Sequence, residues 1–244
     1  MGGGIRIGTA GWSIPAGCAE AFPGEGSHLQ RYAARLNAVE INSSFYRPHR
    51  PGTYARWAAS VPSGFRFAVK MPREITHRRK LIDVAEPLKQ FLAEIGHLGA
   101  ALGPVLVQLP PSLRYDAAAA GPFIQALREW FEGAVVLEPR HRSWFTAEVE
   151  EQLAHHRIAR VAADPASVPQ AAEPGGWPGL VYRRLHGSPK MYYSAYSEET
   201  LDDTARLMRL DTETARESWC IFDNTALGAA CENALGLLWR LRSA

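Results

Sequence analysis

Ionisable and amide side chains recur in this chain at one kind of place, the end of a short apolar run. Val39-Glu40-Ile41-Asn42 offers Glu40 and Asn42 on one face, and Phe67-Ala68-Val69-Lys70 ends in Lys70. Val105-Leu106-Val107 leads to Gln108, and Val135-Val136-Leu137 to Glu138, with Arg140 and His141 just beyond. Later runs close on Asp164, on Arg184 and His186, and on Asp223 and Asn224. Such a set could hold an anion and move protons. Glu40 and Glu138 could work as an acid–base pair, as in glycoside hydrolysis, or serve as counter-ions of Lys70 and Arg184. Lys70 could bind an anion, act as a general acid, form a structural ion pair, or form a Schiff base if its pKa were depressed. Nearby carboxylates are expected to keep that pKa up, which opposes the Schiff base. His186 is the histidine whose position at a run's end best suits a general acid or base.

His77, His141 and His186, together with Glu40, Glu138, Asp164 and Asp223, include the ligand types of a divalent-metal site. No His-x-His or His-Glu-x-x-His spacing appears, and Lys70, Arg140 and Arg184 are interspersed among them. No cofactor is therefore expected, with a divalent metal as a minor alternative. Serine triads lack a Gly-x-Ser-x-Gly turn. Cys18, Cys220 and Cys231 show neither metal spacing nor a framework of pairs, which fits a reducing cytoplasm.

Charge is unevenly spread. Residues 41–80 carry nine Lys or Arg against one Glu, a local +8 in a chain of net +2, so the remainder, with 18 basic and 24 acidic residues, carries −6. That asymmetry points to an anionic partner. Arg47, Arg50, Arg73, Arg78, Arg79 and Lys80, with Tyr46 and His77 nearby, suit a phosphate-bearing small molecule or a nucleic-acid strand. A solvated basic rim is the plainer alternative. No apolar run reaches the length of a membrane span, and Met1-Gly2-Gly3-Gly4 lacks a signal-peptide core.

These residues need a scaffold that brings many strand ends together. Apolar runs at 5–9, 38–42, 65–71, 104–109, 134–138, 158–164, 180–186 and 218–223 read as eight strands. Helical spacing recurs at 28–36, 52–59, 83–99, 116–131, 145–156, 197–210 and 226–242. This α/β alternation predicts a single (β/α)8 TIM barrel over residues 1–244, with chemistry at the C-terminal ends of the strands. An open doubly wound sheet competes, but no Gly-x-Gly-x-x-Gly turn follows any strand. Residues 165–178 hold four prolines, so the connection between the sixth and seventh strands is expected to be irregular.

Seven ordered motifs carry a family resemblance. They are Gly8-Thr9-Ala10-Gly11-Trp12-Ser13, Val39-Glu40-Ile41-Asn42-Ser43-Ser44-Phe45-Tyr46, Phe67-Ala68-Val69-Lys70-Met71-Pro72 with Thr76-His77, and Gln108-Leu109-Pro110-Pro111. Then come Glu138-Pro139-Arg140-His141-Arg142-Ser143-Trp144, Arg184-Leu185-His186-Gly187 and Phe222-Asp223-Asn224. Together they resemble the YecE-like family, domain of unknown function 72, along essentially the whole chain. The resemblance implies a TIM-barrel fold and leaves the reaction open. Two positions depart from the family pattern: Asp223 stands where Asn is usual, and Pro139 where Phe is more common.

The expected function is an enzyme that binds a small phosphorylated or carboxylated substrate and performs hydrolysis, lysis or isomerisation. Glu40, Glu138, His186 and Lys70 are the expected catalytic groups. Tyr46, His77, Gln108, Arg140, His141, Arg184, Asp223 and Asn224 are the expected substrate contacts. A nucleic-acid-binding or nuclease-like protein and a noncatalytic sensor of a small anion are the alternatives.

Overall fold

Strand alternation sorts the residues of this chain into two environments. One face of each strand packs on helices, through Ile7, Val39, Ile41, Phe67, Val69, Val105, Val107 and Phe222 among others. The opposite face forms a smaller inner cluster of Ala38, Ala68, Leu106, Val136, Ala159, Val161, Leu180, Tyr182, Trp219 and Ile221. Side chains two residues apart share a face. Glu40, Lys70, Gln108, Glu138, Arg184 and Asp223 therefore continue the inner face, each two residues beyond a member of that cluster.

The computed structural model describes residues 4–215 and 217–242; Met1, Gly2 and Gly3 of the N-terminal motif lie outside them. The strands are β1 (Gly4–Thr9), β2 (Ala38–Ile41), β3 (Arg66–Lys70), β4 (Leu102–Gln108) and β5 (Val135–Glu138). They continue as β6 (Ile158–Arg160), β7 (Ala162–Asp164), β8 (Gly175–Gly176), β9 (Leu180–Leu185) and β10 (Glu217–Phe222). The α-helices are α1 (His28–Ala33), α2 (Pro51–Ala59), α3 (Ala85–Ile95), α4 (Ala117–Trp130), α5 (Ala147–His155), α6 (Glu198–Thr214) and α7 (Ala229–Arg242). Their starts are written locally. Ser27, Asp116, Thr146 and Ser197 cap α1, α4, α5 and α6 with side-chain oxygens, and Pro51 opens α2.

The fold is α/β with two parallel-rich sheets, ordered β1-β10-β9-β7 and β2-β3-β4-β5-β6-β8. Every pairing is parallel except the short β6–β8 contact, which is antiparallel. The sheets meet along two seams. At the first, Ala10 bridges Glu40 in parallel, and the Gly11 amide donates to the Glu40 carbonyl at 2.8 Å. Gly8 has no room for a Cβ there, because the Ala38 carbonyl occupies that space. The Tyr32 hydroxyl joins the same two strands, donating to the Ala38 carbonyl at 3.0 Å and accepting from the Thr9 amide at 2.9 Å.

The second seam corrects one expectation. The run at 158–164 is two strands, because the chain changes neighbours midway. β6 pairs with β5, the Val161 amide donates to the Leu137 carbonyl, and β7 then pairs with β9. Residues 165–178 contain no α-helix; they form the 3-10 turn Pro169–Ala172 and β8. No described helix is long and apolar enough to cross a membrane.

Candidate functional site

Arg184 is the hub of the inner face. Its side chain is fully buried, and all three of its nitrogens are engaged by carboxylates. Nη2 donates to Glu40 Oε1 at 2.7 Å and to Asp223 Oδ2 at 3.0 Å. Nη1 donates to Glu138 Oε2 at 2.7 Å, and Nε to Glu40 Oε2 at 3.0 Å. The Tyr182 hydroxyl, one inward position earlier on β9, donates to Glu40 Oε2 at 3.0 Å. Charges this deeply buried persist only when paired and hydrogen-bonded, and here four strands supply the partners. Burial opposes the Arg184 charge, but Glu40, Glu138 and Asp223 hold its pKa well above the ordinary value. Four of its five N–H donors are committed to these carboxylates, so Arg184 organises them from within the cluster.

His186 lies between two of those carboxylates. Nδ1 is 3.0 Å from Asp223 Oδ2 and Nε2 is 3.1 Å from Glu138 Oε1. A protonated ring donates from both nitrogens. Burial opposes protonation, yet Glu138 and the hydrogen bonds the ring donates to both acids raise the pKa. Burial likewise pushes Glu138 upward, while Arg184, then His186 and Arg140, carry it well below the usual carboxylate range. For Asp223, Arg184 and His186 outweigh burial in the same sense. Asp223 thus supplies the third carboxylate at a position where the family resemblance leads one to expect Asn. Asp223→Asn is expected to lower the His186 pKa, read from imidazole NMR titration. An unchanged titration would show that Asp223 does not hold the proton.

Lys70 behaves differently from its neighbours. It is 6% exposed, at the end of β3. Among the described residues no carboxylate lies within 4.0 Å of its ammonium, which sits 4.3 Å from the centre of the Phe45 ring. Burial, followed by repulsion from Arg184, lowers its pKa to about 8, although Glu40, Asp223 and Glu138 pull the other way. The carboxylates do raise this pKa, as expected, but burial, with Arg184 second, outweighs them. The structural ion pair considered for Lys70 is not formed among the described residues. On the next strand, Gln108 is buried in register with Glu138, and its amide has no protein partner among the described residues.

The outer groups form a partial rim. Arg140 donates to Glu138 Oε1 from Nε at 3.1 Å and from Nη2 at 3.0 Å. The ring of His77 stands edge-on to Phe45, 4.9 Å between centres, and Thr76 Oγ1 lies 2.9 Å from its Nδ1. Burial, then Lys70, Arg140 and Arg73, lower the His77 pKa, so the ring is neutral at pH 7. Tyr46 is 64% exposed and stacks with Arg73 instead of entering the cluster.

Three expected groups are spent elsewhere. His141 caps the turn Arg142–Trp144, accepting at Nδ1 from the Ser143 amide at 3.2 Å. Asn224 donates to the Ser194 carbonyl and to Asn233 Oδ1, both at 2.9 Å, tying the loop after β9 to α7. Asp164 accepts from the Tyr196 hydroxyl at 2.7 Å. With Glu40, Glu138 and Asp223 turned onto Arg184, no group of three or more His, Cys, Asp or Glu among the described residues is arranged to hold a metal ion. Sequence reading missed Phe45 and Tyr182. The inward parity of Tyr182 with Arg184 and His186 was the signal that could have found the second.

The basic segment is not one patch. Lys70 is buried at one end of β3, while Arg66 lies four residues away, about 13 Å along the strand, bonded to the Ser63 and Phe65 carbonyls. Arg78 and Arg79 are paired with Glu74.

Comparison with known proteins places this arrangement in context. A family profile described as "Protein of unknown function DUF72" matches residues 6–244. UPF0759 protein YecE of Escherichia coli K12 is 30% identical over 176 residues, 70% of this chain and 62% of YecE, so the match spans less than two thirds of that relative. The crystal structure of a DUF72 family protein from Thermotoga maritima superposes with a TM-score of 0.81 at 25% identity, covering 98% of this chain and 99% of that one. A second DUF72 structure, from Enterococcus faecalis, gives a TM-score of 0.82 at 23% identity, covering 98% and 95%.

Proposed function

This chain belongs to the DUF72 family of proteins of unknown function, and within it we propose an enzyme that binds a small phosphorylated or carboxylated substrate at the C-terminal ends of the strands. The two seams between the sheets support a (β/α)8 barrel as the scaffold, a fold whose active sites lie at that end. The reaction class is acid–base: hydrolysis, lysis or isomerisation.

One observation carries the reading. Lys70 is a buried ammonium with a pKa near 8, lowered first by burial, and among the described residues no carboxylate lies within ion-pair distance of it, because Glu40, Glu138 and Asp223 turn onto Arg184. A buried cation without a direct ion pair is unfavourable. An incoming anion would supply that pair, and a pKa near the operating pH suits proton transfer. In this reading Lys70 meets the anionic group and Gln108 orients it. Arg140 and neutral His77 line the approach. Glu40, Glu138 and Asp223 fix Arg184 and His186, and the Glu138–His186 pair supplies a proton when the substrate displaces one of its hydrogen bonds.

The test is a thermal-shift screen of phosphorylated and carboxylated metabolites, followed by assay of every hit for turnover. A hit is expected to lose its shift and its turnover in Lys70→Met and to bind about tenfold more weakly in Arg140→Ala. A ligand shift and turnover that survive Lys70→Met would end the proposal. The nucleic-acid alternative requires binding that falls steeply with salt. The division of the basic segment between the two ends of β3 weighs against it.

A further inference from the structure

A cavity lies at the other end of the strands. It has a volume of about 930 Å³ and opens beside Ala134, Leu180 and Glu217, where β5, β9 and β10 begin. That size suits a small-molecule ligand. Its wall carries Arg128, His155, His156 and Arg157 together with Glu132, with Phe131 and Trp177 as aromatic surfaces.

Arg128 is the informative group. Three backbone carbonyls fix its guanidinium: Nη1 donates to Phe131 at 3.1 Å and to Gly133 at 2.7 Å, and Nη2 to Arg157 at 3.1 Å. Its Nε is buried without a partner. No carboxylate lies within 4.0 Å of it among the described residues, whereas Arg157 adds like charge. Burial, then Arg157, lower its pKa to about 10, a large shift for a guanidinium. Glu217 does not compensate it, because that carboxylate is 3.6 Å from Arg6 and accepts from Trp219 Nε1 at 2.8 Å. His156 shares the deficit of negative charge: burial, then His155 and Arg128, lower its pKa.

The aromatic walls are built to lie flat. The Phe131 ring rests on Gly133 and the Trp177 ring on Gly179, so closely that neither glycine could carry a Cβ without displacing the ring. Positioned cations beside half-buried aromatic rings are the complement of an anion attached to a flat ring.

From this placement we propose that the cavity at the N-terminal ends of the strands is a second ligand site, for an aromatic anion of the mononucleotide class. Arg128, Arg157 and the two histidines take the phosphate, and Phe131 and Trp177 take the ring. The site is separate from the Lys70 cluster and does not depend on the function proposed there.

Isothermal titration of the intact chain with adenosine 5′-monophosphate tests it. Binding is expected, and it should weaken at least tenfold in Arg157→Glu and in Trp177→Leu, two side chains at the cavity wall. Absence of binding at millimolar nucleotide overturns the inference. So does binding that is lost in Arg140→Ala and retained in Arg157→Glu, since the nucleotide would then sit at the opposite end. Equal affinity for inorganic phosphate overturns the aromatic class of ligand. Circular dichroism of each variant establishes that a loss of binding is not a loss of fold.

Discussion

Lys70→Met is expected to make the protein more stable and unable to bind its ligand. The Lys70 pKa falls from 10.5 to about 8 in the folded chain, so folding disfavours the charged form. Below pH 8 that penalty is fully present. It is relieved as the pH rises from 8 toward 10.5, where the unfolded lysine also loses its proton. The shift corresponds to about 3 kcal/mol at pH 7, and an unbranched apolar side chain of similar length removes it. Urea denaturation at pH 7 and at pH 10 provides the measurement. The variant should gain at pH 7, and the gain should shrink at pH 10. A loss of stability at pH 7 would identify Lys70 as a structural group and withdraw it from the site. Stability sacrificed at one buried residue is the usual mark of a functional position.

Arg184→Met should act in the opposite sense, costing about 3–5 kcal/mol near neutral pH. Glu40, Glu138 and Asp223 would lose their shared partner while remaining buried. In the parent protein the depressed pKa values of Glu138 and Asp223 contribute stability above about pH 4, which is lost as the pH falls through their lower folded values. His186, with a raised pKa, contributes stability that is complete below about pH 6.5 and lost as the pH rises through its folded value. In the variant, unpaired buried carboxylates regain a proton more readily, so its deficit should be largest at neutral pH and narrow toward pH 5. A deficit independent of pH would mean that packing, not charge, explains the loss. Arg184→Lys, which keeps the charge but not the planar fork, should fall between the two.

Much of the architecture was legible because strand alternation is a local signal. Each of the eight expected strands is present, and the four prolines of 165–178 do prevent an α-helix. The split at Val161 was not legible, because it depends on which neighbour each half of the run finds. The convergence of Glu40, Glu138, Arg184, His186 and Asp223 follows from inward parity at strand ends. Their internal order does not. Sequence supplies the charges but not the distances, so it shows neither that one guanidinium reaches three acids nor that burial outweighs those acids at Lys70. His141 and Asn224 lie at the expected strand ends, but backbone and loop partners claim them, and those partners are visible only once the chain is folded.

The carboxylate cluster also bears on the order in which the chain can acquire its shape. Glu40 and Arg184 are 144 residues apart, and Asp223 follows Arg184 by another 39. β1 forms its ladder with β10, near the other end of the described residues. A ribosome working from the N-terminus releases the two glutamates long before the arginine that allows them to leave water. Until then their hydration favours an open inner face, and the early strands have reason to remain loosely associated. Contacts between distant parts of a chain form slowly. The charge cluster should therefore delay packing of the inner face until the segment carrying Arg184 and Asp223 has been synthesised.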